Sequence, residues 1–246
     1  MGVGDIIESG ALELGVPLPL SARHAFETYY TFLEQRGETV NLTAITGEEE
    51  VAKMHILDSL AVLKAADFRN AHVIDIGSGA GFPGVPIKLA EPSIDITLLD
   101  ATGSRVTFIS ELCVALDIAA TCIHARAEEL SRTQEMREHF DIAVARAVAR
   151  LDVLCELCVP FVRVGGLFLA MKSANYAAEL DEALSIAQIL GAVPANSVKY
   201  ILPGTEIERS LVVFEKVAAT PFEYPRRYAR IKKHRSPPNR GNVGEE

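Results

Sequence analysis

A chain of 246 residues, 49% apolar and 23% charged, is large enough to bury one full core with a small extension. Its best apolar stretch, Leu151 to Met171, is interrupted by Asp152, Glu156, Arg163, Pro160 and Gly165-Gly166, which excludes a membrane span. The first residues are acidic (Asp5, Glu8, Glu13) where a secretory signal needs a basic start, so a cytoplasmic protein is expected.

The net charge of -9 is unevenly placed, because Arg226 to Gly244 hold seven basic residues and no acidic one. That leaves -14 on residues 1–225, an acidic body with a basic tail that suits a polyanion locally. Of the four cysteines only Cys155 and Cys158 form C-x-x-C, and Glu156-Leu157 between them fits a helix turn. With no second pair and no matching histidines, no metal is expected.

In chain order, Ser21 can cap a helix through Phe26, Tyr29, Tyr30 and Leu33, with Gly37 just past its end. Thr46-Gly-Glu-Glu49 reads as a capping box opening a second helix through Val51, Met54, Leu57, Leu60 and Leu63. From His72 onward short apolar runs alternate with helical stretches. The runs are 72–77, 94–100, 120–125, 141–146 and 166–172; the helices lie near 85–91, 103–116, 151–159 and 174–190. Such alternation predicts a doubly wound, mostly parallel sheet. Runs near 197–202 and 210–216 are joined too briefly for a crossover, so they predict an antiparallel pair at the sheet edge. The expected organisation is a helical extension over 1–66 packed on the sheet domain, an α/β Rossmann-like domain over 67–220, and a basic flexible tail over 221–246.

The stretch Asp75-Ile-Gly-Ser-Gly-Ala-Gly-Phe-Pro-Gly84 fits two cofactor loops. From Gly79 it is a G-x-G-x-x-G dinucleotide fingerprint; from Asp75 it is D-x-G-x-G-x-G, the loop form of S-adenosylmethionine enzymes. A dinucleotide presses a pyrophosphate on the turn, whereas S-adenosylmethionine brings an ammonium and a sulfonium, which a carboxylate at Asp75 favours. Asp100 closes the second strand about 20 residues on, where it can accept ribose hydroxyls of either cofactor. Ala127 and Glu128 follow the third strand, placed to read an adenine edge or simply to cap a helix.

These residues resemble the RsmG (GidB) family, bacterial 16S rRNA 7-methylguanosine methyltransferases. The resemblance runs through Asn41-Leu-Thr-Ala-Ile45, His55-Ile-Leu-Asp-Ser59, the loop to Pro86, Leu98-Leu-Asp100 with Arg105, Arg126-Ala-Glu-Glu129, Ala145-Arg-Ala-Val-Ala149, Gly165-Gly166, Lys172 and Tyr224-Pro-Arg-Arg227. It implies a class I S-adenosylmethionine-dependent methyltransferase with a seven-stranded sheet. The implied reaction is methyl transfer to ring nitrogen 7 of a guanine, position 527 in the customary numbering of 16S rRNA. It also implies cofactor contacts at Gly77, Phe82, Ala127, Glu128 and Arg146, beside Asp75, Gly79 and Asp100.

Ring nitrogen 7 carries a free lone pair, so this chemistry needs no general base, and the chain shows no nucleophile and base constellation. Arg146, at the end of the fourth strand, is the expected catalytic residue, hydrogen-bonding guanine acceptors or the cofactor carboxylate. His55, Asp58 and Ser59 share a helix face that can close over the cofactor or the guanine, or serve helix capping and packing between layers. Lys172 and the tail residues Arg226, Arg227, Lys232 and Lys233 are expected on the RNA backbone of 16S rRNA or the 30S subunit. A monomer is expected. The competing readings are an NAD-dependent oxidoreductase on the same fold and a non-catalytic RNA-binding module.

Overall fold

The computed structural model describes residues 2–40, 45–146 and 149–233, without side-chain detail for 37–40 and 232–233. Parts of the Asn41 and Ala145 motifs, and the basic residues Arg235 and Arg240, lie outside them.

Two helices, α1 (Val3–Leu14) and α2 (Ala22–Val40), open the chain. The second runs through Gly37 rather than ending before it, since an interior glycine costs a helix only about 1 kcal/mol. Next come α3 (Glu48–Val51), a π-helical turn (Ala52–Leu57), α4 (Asp58–Leu60) and a 3-10 turn (Ala61–Lys64), one helical run with an altered middle. The Thr46 capping box does not form. Gly47 stands at the N-cap with no side-chain bond, and Glu49 instead accepts from Lys53 Nζ at 2.7 Å, one turn on.

The sheet follows as β1 (His72–Ile76), β2 (Asp95–Asp100), β3 (Thr121–His124), β4 (Phe140–Arg146), β5 (Val162–Ser173), β6 (Ala192–Pro194), β7 (Val198–Ile201) and β8 (Glu208–Lys216). Helices α5 (Gly84–Ala90), α6 (Gly103–Ala115), α7 (Ala127–Leu130), α8 (Leu151–Cys158) and α9 (Ala177–Ile189) connect the strands, and α10 (Tyr228–Lys233) follows them. Strand order is β3-β2-β1-β4-β5-β8-β6, with β7 also on β8. The first five strands are parallel, and β8 runs antiparallel to β5 and to both β6 and β7. There are thus eight strands rather than seven. The extra one, β6, is three residues with a proline, too short for a periodic signal, and it shares the edge of β8 with β7.

One face of the sheet carries the N-terminal helices with α5 and α6, joined through Phe26, Tyr29, Leu57 and Leu60 to Val73, Val144 and Leu169. The other carries α7, α8, α9 and α10 over Ile74, Ala143, Phe168 and Phe214. The order reverses between β1 and β4, which puts the crevice for a ligand at their carboxyl ends.

The stretch expected to be a flexible tail is packed on the body as far as residue 233. Arg132 donates to the carbonyls of Phe222, Glu223 and Pro225, and Arg137 to those of Thr220, Pro221 and Tyr224. The Glu156 carboxylate takes both the amide and the guanidinium of Arg226. Buried Lys216 closes the start of the strap on the Val159 carbonyl, Thr220 and Glu138.

Candidate functional site

At the carboxyl end of β1 the chain turns through Gly77, Gly79 and Gly81, with φ of 78°, 59° and 98°. Two glycines of this loop do different work. A Cβ on Gly79 would meet nothing nearer than the Gly77 carbonyl at 3.9 Å, so this backbone faces open space that a ligand can enter. A Cβ on Gly84 would lie 2.5 Å from Leu98 Cδ2 and 2.8 Å from Asp75 Oδ2, so here the missing side chain lets α5 sit against the sheet.

Asp75 is fully buried, and its Oδ2 accepts the Gly84 amide at 2.8 Å. It therefore clips the loop from behind rather than meeting a cofactor ammonium directly, the contact its place in the motif suggested. Burial pushes its carboxyl up to about 7, against the pull of the Gly84 amide and Arg146, and its Oδ1 is buried with no partner. Asp100 accepts from the amides of Gly79 (3.0 Å) and Thr102 (2.8 Å), with Arg105 at 3.7 Å, so it ties the glycine loop to the end of β2. The open Gly79 backbone beside the buried Asp100 carboxylate suits a cationic cofactor better than a pyrophosphate.

Phe82 ends the loop inside a stack of aromatic and cationic groups. Its ring lies 5.1 Å from Tyr29 and 4.7 Å from His55, and the Arg146 guanidinium stands 4.9 Å from its centroid. Tyr29 fixes the arrangement by donating to the Ala80 carbonyl at 2.6 Å. Arg146, at the end of β4, donates through Nη1 to Met54 O (3.2 Å) and His55 Nδ1 (3.1 Å), and the same atom lies 3.9 Å from Asp58 Oδ2. All three contacts fall on Nη1, and Nε and Nη2 take no acceptor among the described residues.

The His55 ring is neutral near pH 7, and its Nδ1 also lies 3.2 Å from the Met54 carbonyl, so its tautomer sets whether it accepts from Arg146 or donates to that carbonyl. Burial and the adjacent guanidinium push its pKa down to about 4. Asp58 accepts from the Tyr200 hydroxyl at 2.7 Å, and Arg209 Nε lies 3.5 Å away. Burial raises its pKa while Tyr200, Arg146 and Arg209 oppose the rise.

The structure thus gathers Asp75, Gly77, Gly79, Phe82 and Asp100 into one cradle, and His55, Asp58 and Arg146 at its side. Other expected residues are placed elsewhere. Ser59 is fully buried with its hydroxyl on the His55 carbonyl at 2.6 Å, so it packs the helix and does not face a substrate. Lys172 is held by Glu179 (2.7 Å) and the Ala149 carbonyl (2.9 Å), and Arg226 by Glu156; their charges are spent inside the molecule. Ala127 and Glu128, each 9% exposed, start α7. Glu128 lines a cleft of about 830 Å³ with Glu129, Arg132, Arg227 and Tyr228. Lys232 and Lys233 lie on α10. Tyr29, Tyr200 and Arg209 were not singled out by sequence; the first carried only a core-helix signal and the others none. Among the described residues no group of three His, Cys, Asp or Glu is placed to hold a metal, and all four cysteines are free thiols. No helix among them is long and apolar enough to cross a membrane.

The raised carboxyl of Asp75 makes a test of the cradle. In the unfolded chain this group ionises near 3.8 and in the folded chain near 7, so it costs stability as pH rises through that window. Asp75→Asn should therefore gain on the wild type between pH 5 and pH 8 by on the order of 2 kcal/mol in urea unfolding. His55 contributes stability that is lost as pH falls from 6.5 toward 4, but equally in both proteins, so it cancels. A difference independent of pH would mean the carboxyl is not held as described.

The sheet order and the glycine cradle define a class I, S-adenosylmethionine-dependent methyltransferase. Solved members of that fold align with it. TYW2 of M. jannaschii in complex with AdoMet has a TM-score of 0.52 at 14% identity, over 68% of this chain and 81% of that one. TrmN from Thermus thermophilus has a TM-score of 0.51 at 19% identity, over 66% and 49%. Within the class, the chain belongs to the GidB family, rRNA small subunit methyltransferase G, whose family model matches residues 22–208. Relatives named Ribosomal RNA small subunit methyltransferase G include one from Caldanaerobacter subterraneus subsp. tengcongensis, 42% identical over 93% of this chain and 96% of the relative. Another, from Lachnoclostridium phytofermentans, is 41% identical over 88% and 90%. Family membership sets aside the NAD-dependent oxidoreductase reading.

Proposed function

We propose that the protein transfers a methyl group from S-adenosylmethionine to ring nitrogen 7 of a guanine in 16S rRNA, position 527 in the customary numbering, in the cytoplasm. Family membership supports RNA methylation, and the observation that carries the site is Arg146. It is a largely buried guanidinium at the β1/β4 crevice, beside the glycine loop, whose contacts to acceptors among the described residues all fall on Nη1. When bound, the cofactor supplies an electrophilic methyl on a sulfonium; Gly77, Gly79 and Phe82 are the loop residues that would hold it, with Asp75 and Asp100 fixing the shape of that loop.

The protein's own work is then positioning. His55, whose pKa lies near 4, is a poor base, and Asp58 already accepts from Tyr200 between two guanidinium groups, which fits a nucleophile whose lone pair is already free. Arg146 can donate to guanine acceptors or the cofactor carboxylate while keeping its charge near a developing neutral thioether. Methylation of 30S particles or naked 16S rRNA from a strain lacking this activity, mapped at guanine N7, tests the reading. Absence of methylation on both, with cofactor bound, would leave only an RNA-binding module.

For the RNA backbone the structure favours Arg227 over Arg226 and Lys172. Arg227 is exposed on the strap and lines the cleft beside Glu128, whereas the other two are ion-paired. Arg227→Ala should weaken binding to unrelated RNA sequences alike and lower the slope of log affinity against log salt by about 0.7, whereas Lys172→Ala should leave that slope unchanged. Fluorescence titration at several salt concentrations reads both.

A further inference from the structure

Tyr200 and Arg209 are direct partners in the antiparallel register of β7 and β8. Both reach the same carboxylate, Asp58, which belongs to the N-terminal helices and not to the sheet. The loop between these strands makes a second grip on the same helical run, where Lys53 Nζ donates to the Gly204 carbonyl at 3.0 Å. One grip falls within the π-helical turn Ala52–Leu57, at Lys53, and the other directly after it, at Asp58; this turn presents the Met54 carbonyl and His55 to Arg146. A π-turn inside a helix shifts the direction of the side chains that follow it, and such turns gather at functional sites. Here the β7–β8 hairpin contacts the turn through Gly204 and the residue after it through Tyr200 and Arg209.

We propose that Tyr200 and Arg209 are positioning residues for methyl transfer: by holding Asp58 they set where the Arg146 guanidinium stands beside Phe82. The proposal rests on the role given above to Arg146. The groups facing Asp58 are Arg146 from β4, Tyr200 from β7 and Arg209 from β8. Two cations and one hydroxyl thus share one carboxylate whose side chain is 8% exposed. Ionised, Asp58 balances both arginines. Protonated, it leaves two guanidinium groups facing each other through a poorly solvated space, and Arg146 loses its electrostatic tether.

The Tyr200 hydroxyl favours the ionised form, so removing it makes Asp58 take up a proton at higher pH. Tyr200→Phe, which keeps the ring, should slow single-turnover methylation of small-subunit particles about tenfold near neutral pH. The acid limb of its pH profile should move up by about half a unit or more. S-adenosylhomocysteine affinity, measured by calorimetry, should change less than about twofold. In an Asp58→Asn background the Tyr200→Phe change should add nothing further. A merely structural tyrosine would lower activity at every pH alike and leave the limb in place.

Arg209→Lys provides a second, independent reading, since it keeps the charge and should retain more activity than Arg209→Met. An unmoved acid limb in Tyr200→Phe, or an effect fully additive with Asp58→Asn, overturns the brace while leaving the methyltransferase reading intact. Wild-type activity in Arg146→Ala would overturn the role of Arg146 and this proposal together.

Discussion

Arg146→Ala should reduce methyl transfer to guanine N7 by about a hundredfold or more, the usual effect of removing a preorganised donor from a site where charge changes in the transition state. The variant loses three things at once: the cation beside Phe82, the donor to Met54 and His55, and the counter-charge of buried Asp58. Arg146→Lys separates them. It keeps a charge but loses the planar fork and the stacking on Phe82, so it should recover only a small part of the rate. Primer-extension mapping of the methylated guanine, with cofactor binding measured in parallel, distinguishes lost chemistry from a lost cofactor site. Unchanged methylation in Arg146→Ala would remove this residue from the mechanism.

The second large effect is expected in the glycine loop, where two similar substitutions should fail differently. Gly84→Ala drives a methyl group against Leu98 and against the carboxylate that its own amide binds, so it should destabilise the fold by about 1–3 kcal/mol and weaken cofactor binding as a consequence. Gly79→Ala meets no packed atom. It has the strain of a positive φ, about 1 kcal/mol, and it places a methyl in the space left for the ligand. Its cofactor affinity should fall tenfold or more while its thermal midpoint moves only a few degrees. Calorimetric titration with S-adenosylhomocysteine and thermal unfolding of both variants check the contrast. Equal stability losses in the two would show that Gly79 is a packing glycine as well.

Most of the strands, their parallel arrangement and the glycine loop were legible because their signals are local. Alternating apolar runs announce a parallel sheet wherever the chain folds, and glycines at fixed spacing after a strand need no distant partner to form a turn. The strap was misread for the opposite reason. Basic, proline-containing sequence after Pro221 looks solvated until Arg132, Arg137 and Glu156, 70 to 93 residues earlier, are brought against it. Lys172 and Arg226 looked available to phosphate by the same logic, and their partners Glu179 and Glu156 removed them. The capping box at Thr46 failed on competition between neighbours, since Glu49 had a lysine one turn away.

By itself the sequence determined the fold class and the position of the glycine-rich loop, because each is written in short-range pattern, and it placed Arg146 at the end of a recognisable strand. Only the tertiary structure decided what each carboxylate does. It turned Asp75 inward to hold Gly84, gave Asp100 to the Gly79 amide, and set Asp58 between Arg146 and the Tyr200–Arg209 pair. Burial and the choice of partner fix the role of an ionisable group, and both depend on atoms that are close in space but far apart along the chain.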